Sequence, residues 1–460
     1  MQRLARITQR LRSLTSGEGL RARLTMASGA SVLLKVVNTA LGFATTVLLA
    51  RMLGPDSLGV YAFALAVIMI VGLPAKAGVP QLVTRETAKA QAGEDWNTVK
   101  GVWRWGGGFV LVATALIVVM ALVVGLTFPE YRVTDHGRTL TWGLLLIPLM
   151  GLALVRSSAL RGLGHTVQGQ IPELVIKPLA FLGLLGVAWM SASDTPFDPH
   201  SAMALQVAAT ALAFVIGAAL LWRSKPRILR QAGTSYDSRA WLATIIPLAS
   251  INAMYLINTQ ADILLIGVFM EDADVGHYKV ATQTSLIVAF GLQATKMVVE
   301  PYFSRFYHQG EMGKLQKLAQ SASRLNIAIA LTVFVPLVLW GASLLQIAFG
   351  AAFVAAYLPM LILSGARLGG ASVGSSAHLL SMAGYHNEYA RIWIAAGVAN
   401  VLLNLVLIPF FGTVGAAIAT GITLLLAYGS GWWAAKRWIG CDCSPFPVRM
   451  DVIRKRNSGV

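Results

Sequence analysis

Residues 26–50 read MASGASVLLKVVNTALGFATTVLLA, residues 51–57 RMLGPDS, and residues 58–83 LGVYAFALAVIMIVGLPAKAGVPQLV. A membrane-crossing helix takes about 20 apolar residues. Two such runs therefore flank a short gap whose one cation is Arg51. The next gap is rich in cations: Arg85, Lys89, Lys100 and Arg104. The alternation persists along the chain. Basic gaps hold Arg156 and Arg161, then Arg223, Lys225, Arg227, Arg230 and Arg239, then Arg305, Lys314, Lys317 and Arg324. The gaps between them offer Arg132 with Arg138, then SASDTPFDPH with no cation, then Lys279 beside Glu271, Asp272 and Asp274. Both tails are basic, from Arg3, Arg6, Arg10, Arg12, Arg21 and Arg23 at one end to Arg454, Lys455 and Arg456 at the other. Lys and Arg collect in cytoplasmic loops, so the pattern predicts a polytopic membrane protein with both termini in the cytoplasm.

Twelve apolar runs are found, at 26–50, 58–83, 102–127, 139–163, 169–192, 201–222, 241–268, 276–300, 320–348, 354–382, 388–410 and 414–435. The first runs on past any plausible cleavage site and has a long tail before it, so it is read as a retained span and not as a signal peptide. Charged residues are 12% of the chain, about half the share in a soluble domain. The net charge of +17 does not point to nucleic acid, because the cations adjoin spans, where anionic lipids at the cytoplasmic face attract them. Cys441 and Cys443 have no histidine or second pair nearby and read as free thiols. No cofactor or metal is expected.

The fold class expected is all-α and integral to the membrane, with about 12 spans in two six-helix lobes. The segments are a basic tail 1–25, a first lobe 26–222, a basic linker 223–240, a second lobe 241–438 and a basic tail 439–460. The halves echo each other. Gly59, Val60, Tyr61 and Ala64 match Gly276, His277, Tyr278 and Ala281 in spacing, and LRGLGHT after the fourth run matches LSMAGYH after the tenth. Six spans separate equivalent loops, so the repeat is parallel, with its axis along the membrane normal; such transporters place substrate between the repeats.

These stretches carry a family resemblance. ARMLGPDSLGVYAFA, AGVPQLVTRE, LRGLGHT, DILLIG and LNLVLIPFFGTVGAAIAT, in this order, resemble bacterial polysaccharide (O-antigen or exopolysaccharide) flippases of the multidrug/oligosaccharidyl-lipid/polysaccharide superfamily. The resemblance covers residues 26 to 435. It implies a V-shaped bundle of two lobes in the bacterial inner membrane. It also implies export of an undecaprenyl-diphosphate-linked oligosaccharide, with a polysaccharide polymerase and glycosyltransferases as partners.

Charges inside spans are costly and mark pathways. Cations dominate: Lys35, Lys177 and Arg367 fall near the midplane, and Lys76, Arg156 and Lys296 in the cytoplasmic third. All six, with Arg51, are candidate contacts to a lipid diphosphate, which Arg can grip with paired donors and Lys can meet as a point charge. The blander reading is open for each. Glu173 with Lys177, and Lys296 with Glu300, are four residues apart and can neutralise each other within a helix. Lys76 and Arg156 can snorkel to the surface. Arg51, matched to the family's loop arginine, either caps the first span or contacts substrate. Asp262, Glu173 and Glu300 are candidate ion-coupling groups, with helix packing the competing reading for Asp262. His378 reads as a core histidine. Pro172 and Pro178 flank the Glu173–Lys177 pair, which predicts a break in the fifth span.

Two other functions compete. A cation-coupled multidrug exporter of the same superfamily would want more acids in its cavity. A membrane glycosyltransferase or polymerase would want a sizeable extracytoplasmic loop with catalytic carboxylates, which SASDTPFDPH and PEYRVTDHGRT do not supply. The chain is read as a transporter and not as an enzyme.

Overall fold

The computed structural model describes the backbone of residues 17–76, 78–191, 197–373 and 375–446. All regular elements among them are helical, and only a helix satisfies its own backbone polar groups within a single segment in lipid. The chain divides into two compact units, Met1–Leu256 and Ile257–Val460.

The first unit opens with α1 (Gly17–Val71). Its apolar part, 43 residues from Gly29 to Val71, would reach about 65 Å as one rod, twice the hydrocarbon thickness. Gly54, at φ 70° and ψ −179° and followed by Pro55, breaks it into two helices. The first covers the run 26–50, while the run 58–83 is divided: the second helix ends at Val71, and the rest of the run lies in two further helices beyond Gly72 and Gly78. Next come α2 (Leu73–Lys76), α3 (Val79–Ala92) and α4 (Trp96–Thr127). Asp95 starts α4 by accepting from the Thr98 N–H at 3.1 Å. After a 3-10 turn at Pro129–Val133, Thr134 caps α5 (Asp135–Leu144) through the Gly137 N–H. Then follow α6 (Leu146–Gly162), α7 (Thr166–Ile171), a π-helical turn at Pro172–Ile176, α8 (Lys177–Ser191), α9 (Pro199–Ser224) and α10 (Ile228–Gln231).

The basic linker is fastened to this unit. Leu229 packs with Ala90 and Val99, Lys100 donates to the Ala232 carbonyl, and the Ser235 N–H donates to the Asn97 carbonyl at 3.2 Å. A Cβ at Gly101 would overlap the Ser235 carbonyl oxygen, so glycine permits the linker to lie against α4.

α11 (Ser238–Phe269) runs into the second unit. There follow α12 (Asp272–Ser285), α13 (Phe290–His308), α14 (Met312–Phe349), α15 (Tyr357–Val373), α16 (Ser375–Met382) and α17 (His386–Ala434), then a π-helical turn at Ala435–Ile439. α17 is again two helices, joined at Gly412 with φ 57° and ψ −136°. Among the described residues, eight helical segments have the length and apolarity to cross a membrane; the one within α17 holds two runs, and the one within α1 holds the first run and the start of the second. The protein is thus a multi-pass membrane protein. The run 276–300 is divided by a turn over 286–289.

The sequence echoes fold alike. After α6, Gly164 takes φ 86°; after α16, Gly384 takes φ 92°. The His165 N–H bonds the Leu160 carbonyl at 2.8 Å, and the Tyr385 N–H bonds the Leu380 carbonyl at 3.0 Å. Both are the six-to-one bond of a Schellman helix end, which places glycine in the left-handed region. Tyr61 and Tyr278 are likewise both buried, as are Ala64 and Ala281.

Candidate functional site

Each unit holds a buried polar assembly within its apolar helices, among the described residues. In the first, the centre is Arg156 on α6, 4% exposed. Its Nη2 donates to Glu173 Oε1 at 2.8 Å. Its Nε and Nη1 are buried with no hydrogen-bond partner among the described residues. Gly217 on α9 makes the space: a Cβ there would overlap the guanidinium. Glu173 also attracts Lys177, half-buried at the start of α8. Lys177 in turn lies close enough to Lys76, the last residue of α2, for the two ammonium groups to repel. Lys76 is half-buried, with Nζ 3.6 Å from Met69 Sδ. Arg161, one turn beyond Arg156, donates to Ser158 Oγ at 2.9 Å and leaves its Nε buried without a partner among the described residues.

The structure therefore brings Arg156, Glu173 and Lys177 together, two cations about one carboxylate, with Lys76 near Lys177. Two expectations are corrected. The contact partner of Glu173 is Arg156, not Lys177, and the fifth span does not break. Pro172 and Lys177 keep right-handed helical angles, and the chain passes through a π-helical turn. That turn replaces i→i+4 with i→i+5 bonding, and the helix continues through it into α8. Arg156 does not snorkel either; it turns inward against α9. Unpaired buried donors are expensive to maintain, and donors on a guanidinium fork fit phosphate oxygens.

Lys35 lies exposed on α1, with its carbonyl accepting from Thr39 Oγ1 at 3.0 Å. Arg51 is exposed just before the Gly54 kink. The side chains of Lys296, Glu300 and His378 lie outside the described residues.

In the second unit the centre is Asp262 on α11, 7% exposed. Tyr278 Oη donates to its Oδ2 at 2.6 Å, Thr420 Oγ1 to Oδ2 at 2.6 Å and Asn404 Nδ2 to Oδ1 at 2.7 Å. Asn404 also donates to Asn400 Oδ1 at 3.2 Å, and Asn400 Nδ2 to Thr420 Oγ1 at 2.9 Å. Asn404 Oδ1 is buried without a partner among the described residues. Arg367 on α15 is half-buried, donates to Ser285 Oγ at 3.0 Å and is within electrostatic reach of Tyr278. In the first unit Tyr61 instead donates to Gln206 on α9. The repeat keeps the tyrosine while its partners differ.

Asn400, Asn404 and Thr420 are uncharged, so a search for charges in spans passes over them. A signal exists nevertheless. Asn400 and Asn404 are one helical step of four apart in an otherwise apolar run, so they share a face, and amides inside spans hydrogen-bond across helices.

The chain resembles known transporters along most of its length. It is 23% identical over 381 residues to the probable low-salt glycan biosynthesis flippase Agl15 of Haloferax volcanii, covering 81% of this chain and 75% of that protein. Its fold resembles an inward-facing multidrug resistance MATE family transporter of the MOP superfamily, with TM-score 0.71, 15% identity and coverage of 88% of this chain and 94% of that one. It also resembles the lipid II flippase MurJ in an inward closed conformation, with TM-score 0.68, 12% identity and coverage of 90% and 87%. Residues 27–307, more than half the chain, match the family described as polysaccharide biosynthesis protein; the chain belongs to that family.

Proposed function

We propose that the protein is a flippase that moves an undecaprenyl-diphosphate-linked oligosaccharide across the inner membrane for polysaccharide biosynthesis, with both termini cytoplasmic. The observation that carries this reading is the assembly around Arg156: two cations about one carboxylate, Lys76 near the second of them, and two buried guanidinium donors without partners among the described residues. A diphosphate supplies the acceptors those donors need. The run of Agl15-like sequence supports the same reading. Lys76, Arg156 and Lys177 receive the diphosphate, with Arg367, Lys35, Arg51 and Lys296 as further contacts along its course. A polymerase and glycosyltransferases act on the same lipid-linked substrate, and anionic lipids meet the basic loops.

Asp262 is the ion-coupling group. Its carboxylate, Asn400 Oδ1, the unpartnered Asn404 Oδ1 and Thr420 Oγ1 offer clustered oxygens that suit a proton or a small monovalent cation. This supports coupled transport of the lipid-linked substrate over multidrug export, because the acid is sealed among donors where a bulky cationic drug has no access. Deletion of the gene tests the proposal. A lipid-linked saccharide should accumulate on the cytoplasmic face, and the intact gene should clear it. A deletion strain with unchanged lipid-linked glycans would refute the reading.

A further inference from the structure

The first unit also holds a large groove away from the Arg156 assembly. Its volume is about 1410 Å³, and it lies between the end of α1, the last turns of α4, the turn Pro129–Val133 and α5. That exceeds the roughly 300–1,000 Å³ of ordinary small-molecule pockets. Its walls are mainly apolar, and several lining side chains, Met120, Val124, Phe128 and Trp142, are more than 40% exposed. In a membrane protein such surface faces lipid chains.

The rim is cationic. Arg132 and Arg138 line the groove with one acid, Glu130, and neither arginine has an ion-pair partner among the described residues. Arg132 has a particular placement. α4 ends at Thr127, yet the Arg132 guanidinium folds back to Gly125: a Cβ there would lie 2.6 Å from Nε and 3.0 Å from Nη2. Long basic side chains at the ends of spans ordinarily reach outward to water. Here the head is turned back along the helix toward the apolar groove, and glycine leaves space for it. His200, at the start of α9, lines the same groove with its Nδ1 buried and unpartnered among the described residues.

From this juxtaposition we propose that the groove binds an anionic phospholipid of the outer leaflet, its acyl chains along α4 and its phosphodiester held by Arg132 and Arg138. The leaflet follows from the orientation proposed above. The phosphate supplies the charge that the two guanidinium forks lack, and the chains cover apolar wall that otherwise has none. A bulk phospholipid is chosen over the isoprenoid carrier because the groove is open to the bilayer at its side and sits apart from the Arg156 assembly.

The test is native mass spectrometry of the full-length protein in detergent, titrated with phosphatidylglycerol or with phosphatidylcholine of the same chains. Phosphatidylglycerol should bind at least about tenfold more tightly. Arg132→Gln with Arg138→Gln should remove that preference, and Gly125→Leu should weaken binding about tenfold by displacing Arg132. The isosteric change Thr332→Val, at an exposed position of α14 in the second unit, should leave it intact. Equal affinity for the two lipids, or no change in the rim variants, would overturn the proposal. So would displacement of phosphatidylglycerol by equimolar undecaprenyl diphosphate. Should the variants fail to fold, a diazirine-bearing phosphatidylglycerol on the unaltered protein decides the matter: crosslinks should map to Val124, Phe128 or Trp142, and their absence there refutes the site.

Discussion

Arg156 and Glu173 form a contact ion pair at 2.8 Å, with the arginine 4% and the glutamate 22% exposed at their side chains. The pair is asymmetric. The carboxylate has a second cation nearby in Lys177, while two of the guanidinium nitrogens have no partner among the described residues. Breaking a buried pair from one side leaves a charge without its counterpart and costs about 3–5 kcal/mol, less where one partner is partly exposed, as here. Arg156→Ala should therefore lower both the amount of folded protein and export. Arg156→Met with Glu173→Gln should restore the folded protein without restoring export. Size-exclusion profiles of the membrane extract report the first, clearance of lipid-linked saccharide the second. Recovery of export in the double variant would make Arg156 structural.

Gly217 controls the same guanidinium from the opposite helix. A glycine within a helix costs about 1 kcal/mol relative to alanine, so on propensity alone Gly217→Ala should stabilise α9. The overlap of the new Cβ with Arg156 opposes this. The expected outcome is a drop in export of about tenfold or more with near-normal protein level. Export at the original rate would show that the guanidinium position is immaterial.

Asp262 receives three donors, and each should matter differently. Asp262→Asn keeps the volume, removes the charge and brings in donor hydrogens opposite Tyr278 and Thr420. Export driven by an imposed proton or sodium gradient should be lost. Tyr278→Phe removes one bond and should cost about 1 kcal/mol in stability while retaining gradient dependence. Equal gradient response in Asp262→Asn and the original protein would assign Asp262 to packing.

The spans were legible because each is a long apolar run and the bilayer fixes its minimum length. The kink at Gly54 was legible as the LGPDS gap, since no single helix of that length fits the bilayer. The paired turns at Gly164 and Gly384 were legible as an echo in the residues. The Arg156–Glu173 contact was not. A carboxylate and a lysine four apart suggest a pair within one helix, and nothing local reveals that an arginine arrives from α6 to make the contact. The Asp262 network was half legible: the acid stands out in its span, but its donors come from α12 and α17 and carry no charge.

The orientation read from the basic gaps has a direct check. Asp198 and Ser235 are both exposed, and the native thiols Cys441 and Cys443 are buried. Asp198→Cys should react with a membrane-impermeant maleimide in intact cells, and Ser235→Cys only after permeabilisation. The reverse pattern would invert the proposed topology.

The segment after α17 gives a pH prediction outside the membrane. Burial alone would raise the Asp442 carboxyl, but the Trp432 Nε1–H at 2.9 Å, the Ser444 N–H at 3.0 Å and the Lys436 ammonium at 3.0 Å outweigh it and hold the group below its ordinary value. With the folded value depressed, the contribution is complete above the unfolded value of about 3.9 and is lost as pH falls through the folded one. The segment is otherwise held by Ser323 Oγ donating to the Cys443 carbonyl at 2.7 Å and Arg324 Nε to the Pro445 carbonyl at 3.0 Å. The protection of amides over 440–446, taken relative to the intrinsic exchange rate at each pH, should be high at neutral pH and fall only below about pH 4, by this linkage. Asp442→Ala should lower it at neutral pH, because Trp432 and Ser444 lose their acceptor at about 1–3 kcal/mol. Maleimide labelling of Cys441 and Cys443 should rise correspondingly, roughly tenfold. Unchanged exchange and labelling in Asp442→Ala would mean that the backbone contacts to α14 alone hold the segment.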